Sequence, residues 1–312
     1  MSISIITPHY NDPTGLQQVH KCLLAQTQAL WEWVIVDDFS DENTRKIILD
    51  WHQEVKDNRV KLICNAQKGN ASVCRNLGAD MATYENLVFL DSDDAISANF
   101  IKTRHIEFTD FAVFKNTAVI DQQREIQFTP QIAGNYLDYF LQARFIWPIT
   151  AIVWKKTFFN SLGKFNPQLP RLQDVELAIR AMQNSVNYIV IDNEVDFYYS
   201  VKPIRSRKNF LKPVSDATYI FIDKLLQTQN LTMYQLSLLS GYYFMNTKYL
   251  ERSKSRKEVG LVHRNLMLFY KKGYIGFFQV LIGVISLKLY KWQIFSGSQF
   301  LRVNRFVFKS KQ

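Results

Sequence analysis

Cysteine is scarce in this chain of 312 residues: Cys22, Cys64 and Cys74 are the only three, and they form no paired spacing. There is no CxxC and no His-rich cluster, so a zinc site and a disulfide framework are both disfavoured; a reducing compartment with buried, inert thiols is the expectation. Glycine motifs for phosphate binding are missing too. No GxGxxG follows the first expected strand, where Thr7-Pro-His-Tyr stands, and there is no Walker loop, so a nicotinamide or flavin dinucleotide fold is disfavoured. The N-terminus has no basic n-region and too short an apolar run for a signal peptide. The longest apolar stretch, within Lys271–Leu287, is cut by Lys288 and Lys291 below the ~20 residues that span a bilayer. It suits the membrane interface instead, flanked by Tyr274, Tyr290 and Trp292.

What the chain does have is enough apolar content, 47%, to bury a full core. Its net charge of +10 is placed unevenly. The last 68 residues carry 14 Lys and Arg against two acids, Glu251 and Glu258, and the rest of the chain balances to −2. Such a tail implies a polyanionic partner, nucleic acid or an anionic membrane.

The first hundred residues alternate short β-branched runs with helical patterns. Strands are expected at Ser2–Thr7, Trp33–Asp37, Val60–Asn65 and Asn86–Leu90, and helices near Leu16–Gln28, Glu42–Glu54 and Ala71–Ala82. This alternation predicts an α/β fold with a mostly parallel sheet covered on both faces. Less regular strands are expected from Phe111 to Phe128, a buried strand at Trp147–Trp154, and helices at Lys156–Leu162 and Asp174–Asn184. After Tyr199 the pattern turns helical (Val214–Gln227, Met233–Glu251, Lys257–Tyr270), with a boundary near residue 205. The division is therefore a 1–205 domain, with 1–100 and 101–205 as its halves, and a basic helical region over 206–312.

Loops after parallel strands open at one carboxyl edge, where open α/β sheets bind ligands. There the sequence brings Thr7-Pro-His-Tyr10-Asn11, Asp37-Asp38-Phe-Ser40-Asp41, Asn65-Ala-Gln-Lys68-Gly69, and the three carboxylates of Leu87-Val-Phe-Leu-Asp91-Ser-Asp93-Asp94. Three carboxylates within four positions repel one another unless a cation sits among them, and oxygen ligands suit Mg²⁺ or Mn²⁺. A nucleoside diphosphate-sugar would use every part of this edge. Asp93 would ligate a metal on the diphosphate, with Asp91 reaching it through water or reaching the ribose. Asp37 or Asp38 would accept from a base N–H or a ribose hydroxyl, and Lys68 and Arg75 would offer positive charge. Arg75 is equally suited to a structural ion pair, Tyr10 to packing, and Asp41 to capping the second helix.

Thr7-Pro-His-Tyr-Asn, Val36-Asp-Asp-Phe-Ser-Asp41, Lys68-Gly-Asn-Ala-Ser-Val-Cys-Arg-Asn-Leu-Gly78 and Phe89-Leu-Asp-Ser-Asp-Asp94, in this order, resemble family 2 glycosyltransferases of the GT-A fold. The resemblance is dense over residues 1–100 and thinner to about 200. It implies inverting sugar transfer from a nucleotide-diphospho-sugar, a UDP-sugar, to a hydroxyl of a saccharide or lipid-linked saccharide, assisted by Mn²⁺ or Mg²⁺, in surface-polysaccharide synthesis. It further implies that Asp38 contacts the nucleobase, that Thr7, Pro8 and Tyr10 line its pocket, and that Ser92 joins Asp91 in donor binding. The catalytic base is then Asp174 in Arg171-Leu-Gln-Asp174-Val-Glu176, although the family's common Glu-Asp pair is here Gln173-Asp174; Glu176 is the second candidate. Trp147 and Pro148 are candidates to wall the acceptor site. A lipid-linked acceptor would draw the basic tail to the cytoplasmic face of the inner membrane rather than to nucleic acid, each Lys or Arg gaining about 1 kcal/mol near anionic lipid. The rival readings are a sugar-1-phosphate nucleotidyltransferase, which would want a Gly-rich basic loop after the first strand, and a non-catalytic nucleotide-sugar scaffold.

Overall fold

The computed structural model describes residues 2–121, 124–200 and 210–309. In chain order its elements are β1 (Ile3–His9), α1 (Pro13–Leu24), β2 (Trp31–Asp37), α2 (Glu42–Val55), β3 (Val60–Cys64), α3 (Ala71–Met81), β4 (Asn86–Phe89), β5 (Ala95–Ile96), α4 (Phe100–Thr103), β6 (Phe111–Phe114), β7 (Thr117–Asp121) and β8 (Arg124–Phe128). There follow α5 (Tyr136–Leu141), β9 (Ile152–Lys155), α6 (Lys156–Ser161), α7 (Gln173–Asn184), β10 (Ile189–Ile191), β11 (Phe197–Ser200), α8 (Leu211–Ile220), α9 (Met233–Leu238), α10 (Ser240–Ser253), α11 (Val259–Lys271), α12 (Phe277–Lys291) and α13 (Gly297–Phe308). They fall into two compact units, one of residues 1–131, 147–167 and 184–202, the other of 132–146, 168–183 and 203–312. The boundary expected near residue 205 lies outside the described residues.

The first unit holds a seven-stranded sheet in the order β10-β6-β9-β4-β1-β2-β3. β4, β1, β2 and β3 run parallel, and β9 is antiparallel to both β4 and β6. All seven residues of β2 are buried, which is why Trp33-Val-Ile-Val reads as an unbroken apolar run. Glu32, within that strand, keeps its charge because Ser4 Oγ (2.5 Å), Lys61 Nζ (2.8 Å) and Thr83 Oγ1 (2.9 Å) surround the carboxylate. A second sheet, in the order β5-β11-β7-β8, takes β7 and β8 from the region where less regular strands are expected and adds β5 and β11, which the sequence does not announce.

Helix starts follow capping chemistry. α1 begins at Pro13, three residues before the expected Leu16, because Asp12 accepts from Gly15 N–H (3.1 Å) and Pro13 suits the first turn. Asp41 caps α2 through Thr44 N–H (2.8 Å), and Asn70 caps α3 through Ser72 N–H (2.9 Å). The strand expected over Trp147–Trp154 is confined to Ile152–Lys155. Pro148 lacks an N–H to pair, and Ile149–Ala151 form a single 3₁₀ turn.

Among the described residues, the regular elements of the second unit are all helices. A buried polar knot joins its helices: Ser215 Oγ donates to Asn246 Oδ1 (2.7 Å), and Asn246 Nδ2 donates to Thr218 Oγ1 (3.0 Å). The helix expected over Met233–Glu251 is divided into α9 and α10, and α10 opens where Gly241 lies against the Gln142 carbonyl, leaving no room for a Cβ. Gly283 serves close packing rather than a kink: a Cβ there would stand 2.8 Å from Leu266 of α11 and 3.2 Å from Phe308 of α13. Among the described residues no helix is long and apolar enough to cross a membrane.

Candidate active site

Parallel pairing aligns His9 with Asp37 and Asp37 with Cys64, while Leu90 N–H reaches the Ile6 carbonyl, so the loops after β1, β2, β3 and β4 leave the first unit at one edge. His9 and Asp37 knit this edge. His9 Nε2 accepts the Asp12 N–H (3.0 Å), so its proton sits on Nδ1 and is donated to Asp37 Oδ1 (2.8 Å). Ser40 adds its hydroxyl (2.5 Å) and its N–H (3.0 Å) to the same carboxylate. Burial alone would raise the Asp37 carboxyl, but these donors outweigh it and hold the group below its ordinary range. Asp37 is thereby a fully bonded structural anchor.

Asp38 organises the loop after β3. Its Oδ1 accepts Gly69 N–H (2.7 Å) and its Oδ2 pairs with Lys68 Nζ (3.0 Å). Lys68 Nζ also lies 2.9 Å above the centre of the Tyr10 ring, which is itself half exposed. Asp38, Lys68 and Tyr10, from three different loops, therefore form one cluster. Lys68 is on the Asp38 side of this edge, and the other basic residue, Arg75, meets Asp91 instead: Nη2 donates to Asp91 Oδ1 at 2.6 Å. Arg75 Nε is buried without a hydrogen-bond partner.

The acidic run after β4 separates by role. Asp91 keeps about a third of its side chain exposed (35%), enough for its second oxygen to face a ligand. Asp93 is half-buried. Asp94 is buried and accepts Ser200 N–H (3.0 Å), tying this loop to β11. Ser92 Oγ donates to Asp12 Oδ2 (3.0 Å), which makes Asp12 the hinge of the edge: it bonds the loop after β4, the α1 N-terminus and His9. Neither Asp12 nor His9 carries a functional signal in the sequence, although Asp12-Pro13 is a readable helix start.

Thr7 is corrected. It is completely buried, and its Oγ1 accepts the Trp33 indole N–H at 2.8 Å, so its side chain belongs to the core and not to a ligand pocket. Pro8 beside it is half-buried. Thr7→Val therefore leaves donor affinity unchanged while destabilising the fold by about 1–3 kcal/mol, the cost of an unpaired buried donor; chemical denaturation alongside nucleotide titration checks both halves.

In the second unit Asp174 is half-buried in the first turn of α7, where a carboxylate gains from the helix dipole. Asp174 also bears on the buried Tyr242 hydroxyl: burial first, then the Asp174 charge, push it well above the ordinary tyrosine value. Glu176, the second candidate, is buried and held by Arg180 through Nε and Nη2, both at 2.7 Å. Trp147, in the first unit, is 4% exposed and is a core residue there.

Among the described residues no group of three or more His, Cys, Asp and Glu forms a ready metal cage. Mg²⁺ and Mn²⁺ do not require one, since such ions take one or two carboxylates and complete their shell with water and substrate phosphates. Asp91 and Asp93 are partly exposed hard-oxygen groups that would fit this pattern, and the unpartnered Arg75 N–H beside Asp91 suits a phosphate oxygen.

A family model described as glycosyl transferase family 2 matches residues 4–161. An Escherichia coli protein, UDP-Glc:alpha-D-GlcNAc-diphosphoundecaprenol beta-1,3-glucosyltransferase WfgD, is 38% identical over 97 residues, covering 31% of this chain and 37% of that protein. The matched stretch thus spans little more than a third of that relative's length. Two solved structures share the fold at low identity: S. aureus TarS 1-349 in complex with UDP-GlcNAc (TM-score 0.62, 17% identity, 99% of this chain and 91% of that one), and the mannosyltransferase PcManGT from Pyrobaculum calidifontis in complex with GDP-Man and Mn²⁺ (TM-score 0.56, 14%, 97% and 86%).

Proposed function

The chain belongs to glycosyl transferase family 2 and has the GT-A fold, and from that premise we propose that it moves a sugar, with inversion, from a UDP-sugar to a hydroxyl of a saccharide or lipid-linked saccharide. The observation that carries this reading is the meeting of four loops at the carboxyl edge of β1 to β4, with Asp38, Lys68 and Tyr10 clustered together and Arg75 beside Asp91. The acceptor oxygen attacks the anomeric carbon, its bond to the diphosphate breaks, and the nucleoside diphosphate leaves with the electron pair. Asp174 takes the hydroxyl proton.

On the donor side, Asp38 accepts from the nucleobase once Lys68 shares or yields that carboxylate, and Tyr10 and Pro8 bound the base. Ser92 and Asp91 face the ribose and diphosphate, and Arg75 neutralises a phosphate. Asp91 and Asp93 would hold Mn²⁺ or Mg²⁺, which when bound stabilises charge on the departing diphosphate. The likeness to PcManGT, solved with GDP-Man and Mn²⁺, supports a metal, and the likeness to TarS, solved with UDP-GlcNAc, supports the uridine donor. A nucleotidyltransferase is disfavoured because the residues after β1 are folded onto Asp37 and cap α1, and form no Gly-rich basic loop. A screen of nucleotide-sugars with lipid-linked sugar acceptors tests the reading: metal-dependent release of free nucleotide with one donor supports it, and donor binding with no release under any pairing returns the chain to a scaffold.

The setting we propose is bacterial surface polysaccharide synthesis, O-antigen, capsule or lipooligosaccharide, as the name of WfgD, with its diphosphoundecaprenol acceptor, suggests. In this reading residues 1–205 carry the chemistry and 206–312 hold the enzyme peripherally on the cytoplasmic face of the inner membrane. Support comes from α12, whose Phe278, Leu281, Ile282 and Ile285 are exposed at helical spacing and lead to Lys288, Lys291 and Trp292. No Asp or Glu occurs after Glu258. A helix of this kind lies in the interface of an anionic bilayer. Phe278→Glu is expected to weaken binding to phosphatidylglycerol vesicles by at least about tenfold, since a large apolar side chain gains roughly 1.5–3 kcal/mol on leaving water; unchanged vesicle sedimentation would sink the membrane reading and leave a solvated helical bundle.

A further inference from the structure

A short, constrained turn in the second unit leads into the helix that carries Asp174. Leu169 is buried, Pro170 fixes the backbone after it, and Gln173 Nε2 donates back to the Leu169 carbonyl (2.8 Å). Leu172 takes a left-handed conformation (φ +63°), which a bulky side chain adopts only under constraint, and its carbonyl accepts Glu176 N–H (2.9 Å) as α7 opens. Arg171 stands at the exposed point of this turn, with its guanidinium 4.6 Å from the centre of the Phe210 ring. Its place three residues ahead of Asp174 keeps the two Cα atoms within about 11 Å of each other, whatever the backbone does between them.

Stacking engages the face of a guanidinium and leaves the N–H donors of its edge open to a partner in the plane. Among the described residues no carboxylate forms an ion pair with Arg171, and no carbonyl or hydroxyl accepts from its side chain. Arg180 of the same helix region differs, being gripped by the buried Glu176 carboxylate at 2.7 Å. Arg171 therefore has a held position and an unengaged edge, beside the residue that takes the acceptor proton. We propose that Arg171 is an acceptor-recognition residue and binds an oxyanion, a phosphate or a carboxylate, that the acceptor carries near the hydroxyl to be glycosylated. The inference rests on the transfer reading, with Asp174 as the base. A guanidinium edge receives either anion through two parallel hydrogen bonds. The same cation offsets the repulsion that an acidic acceptor meets from the Asp174 carboxylate, a cost that a neutral acceptor does not carry. The acceptor class is thus an acidic saccharide or a saccharide phosphate.

Arginine footprinting of the full chain with phenylglyoxal tests the site without any transfer step. Inorganic pyrophosphate is the probe in one arm and glucuronate in the other, with EDTA present so that no metal loads the donor edge. At a probe concentration ten times the dissociation constant fitted to the protection curve, modification of Arg171 should slow about tenfold, while Arg59, paired with Asp57 in the first unit, keeps its rate. Protection by pyrophosphate assigns a phosphate, and protection by glucuronate alone assigns a carboxylate; both support the site, and protection in neither arm overturns it. In transfer assays Arg171→Gln should raise the KM for an acidic acceptor at least about tenfold, the loss of a charge-assisted pair, with the KM for the nucleotide-sugar unchanged. Arg171→Lys, which keeps the charge without the fork, should recover part of that loss. Wild-type transfer with the same acceptor KM in Arg171→Gln overturns this inference and leaves the transfer reading standing. A wild-type chain that transfers to no acceptor overturns the transfer reading, and the footprint still decides the anion site.

Discussion

Asp174→Asn lowers sugar transfer by about a hundred- to ten-thousand-fold, the contribution of a positioned general base, and leaves binding of the nucleotide-sugar unchanged. The size of the loss follows from the absence of a substitute. Glu176, two residues on, is buried and gripped by Arg180, so it is not available to take a proton from an acceptor hydroxyl. Asparagine keeps the volume and a hydrogen-bonding group in the first turn of α7, so the fold should survive, losing only the few tenths to 1 kcal/mol of charge–dipole energy at the helix start. Steady-state transfer measured beside equilibrium donor binding separates the two effects. Full transfer by the variant would move the base to another residue.

Asp93→Asn has the complementary signature. Donor affinity in the presence of Mn²⁺ falls at least about tenfold, or 1.4 kcal/mol, while the weaker affinity measured in EDTA does not change. Asp93 is the proposed metal ligand, and Asp91 beside it gives one oxygen to Arg75. Calorimetric titration of UDP with and without Mn²⁺ checks this. Equal losses in both conditions would show that Asp93 acts on the nucleotide directly or on the fold.

The parallel core was readable from particular residues. Runs such as Trp33-Val-Ile-Val and Leu87-Val-Phe-Leu have no period because both faces are covered, and β2 is buried at every position. Once those strands were paired in order, the meeting of their loops followed from geometry alone. What stayed hidden was what depends on a distant partner. Thr7 looks like a site residue because it is polar and ends an apolar run, yet its hydroxyl answers the indole of Trp33 on the neighbouring strand. The pairing of Lys68 with Asp38 rather than with the acidic run after β4 joins loops thirty residues apart and has no local signature. β5, β10 and β11 are two to four residues long, too short for any period to register. Residues 132–146 group with helices a hundred residues later, as when Tyr242 Oη donates to the Phe140 carbonyl (2.8 Å), and nothing in their own composition marks that destination.

The central claim is that the loops after β1 to β4 together form the nucleotide-sugar site. Hydrogen exchange of the full chain, with and without UDP and Mn²⁺, tests it most directly. The account predicts slowed exchange in residues 10–12, 38–41, 65–70 and 90–94 together, with little change in β5 to β8, and loss of that pattern in Asp93→Asn. Saturating nucleotide that protects a different part of the chain, or protects one of these loops without the others, would contradict it.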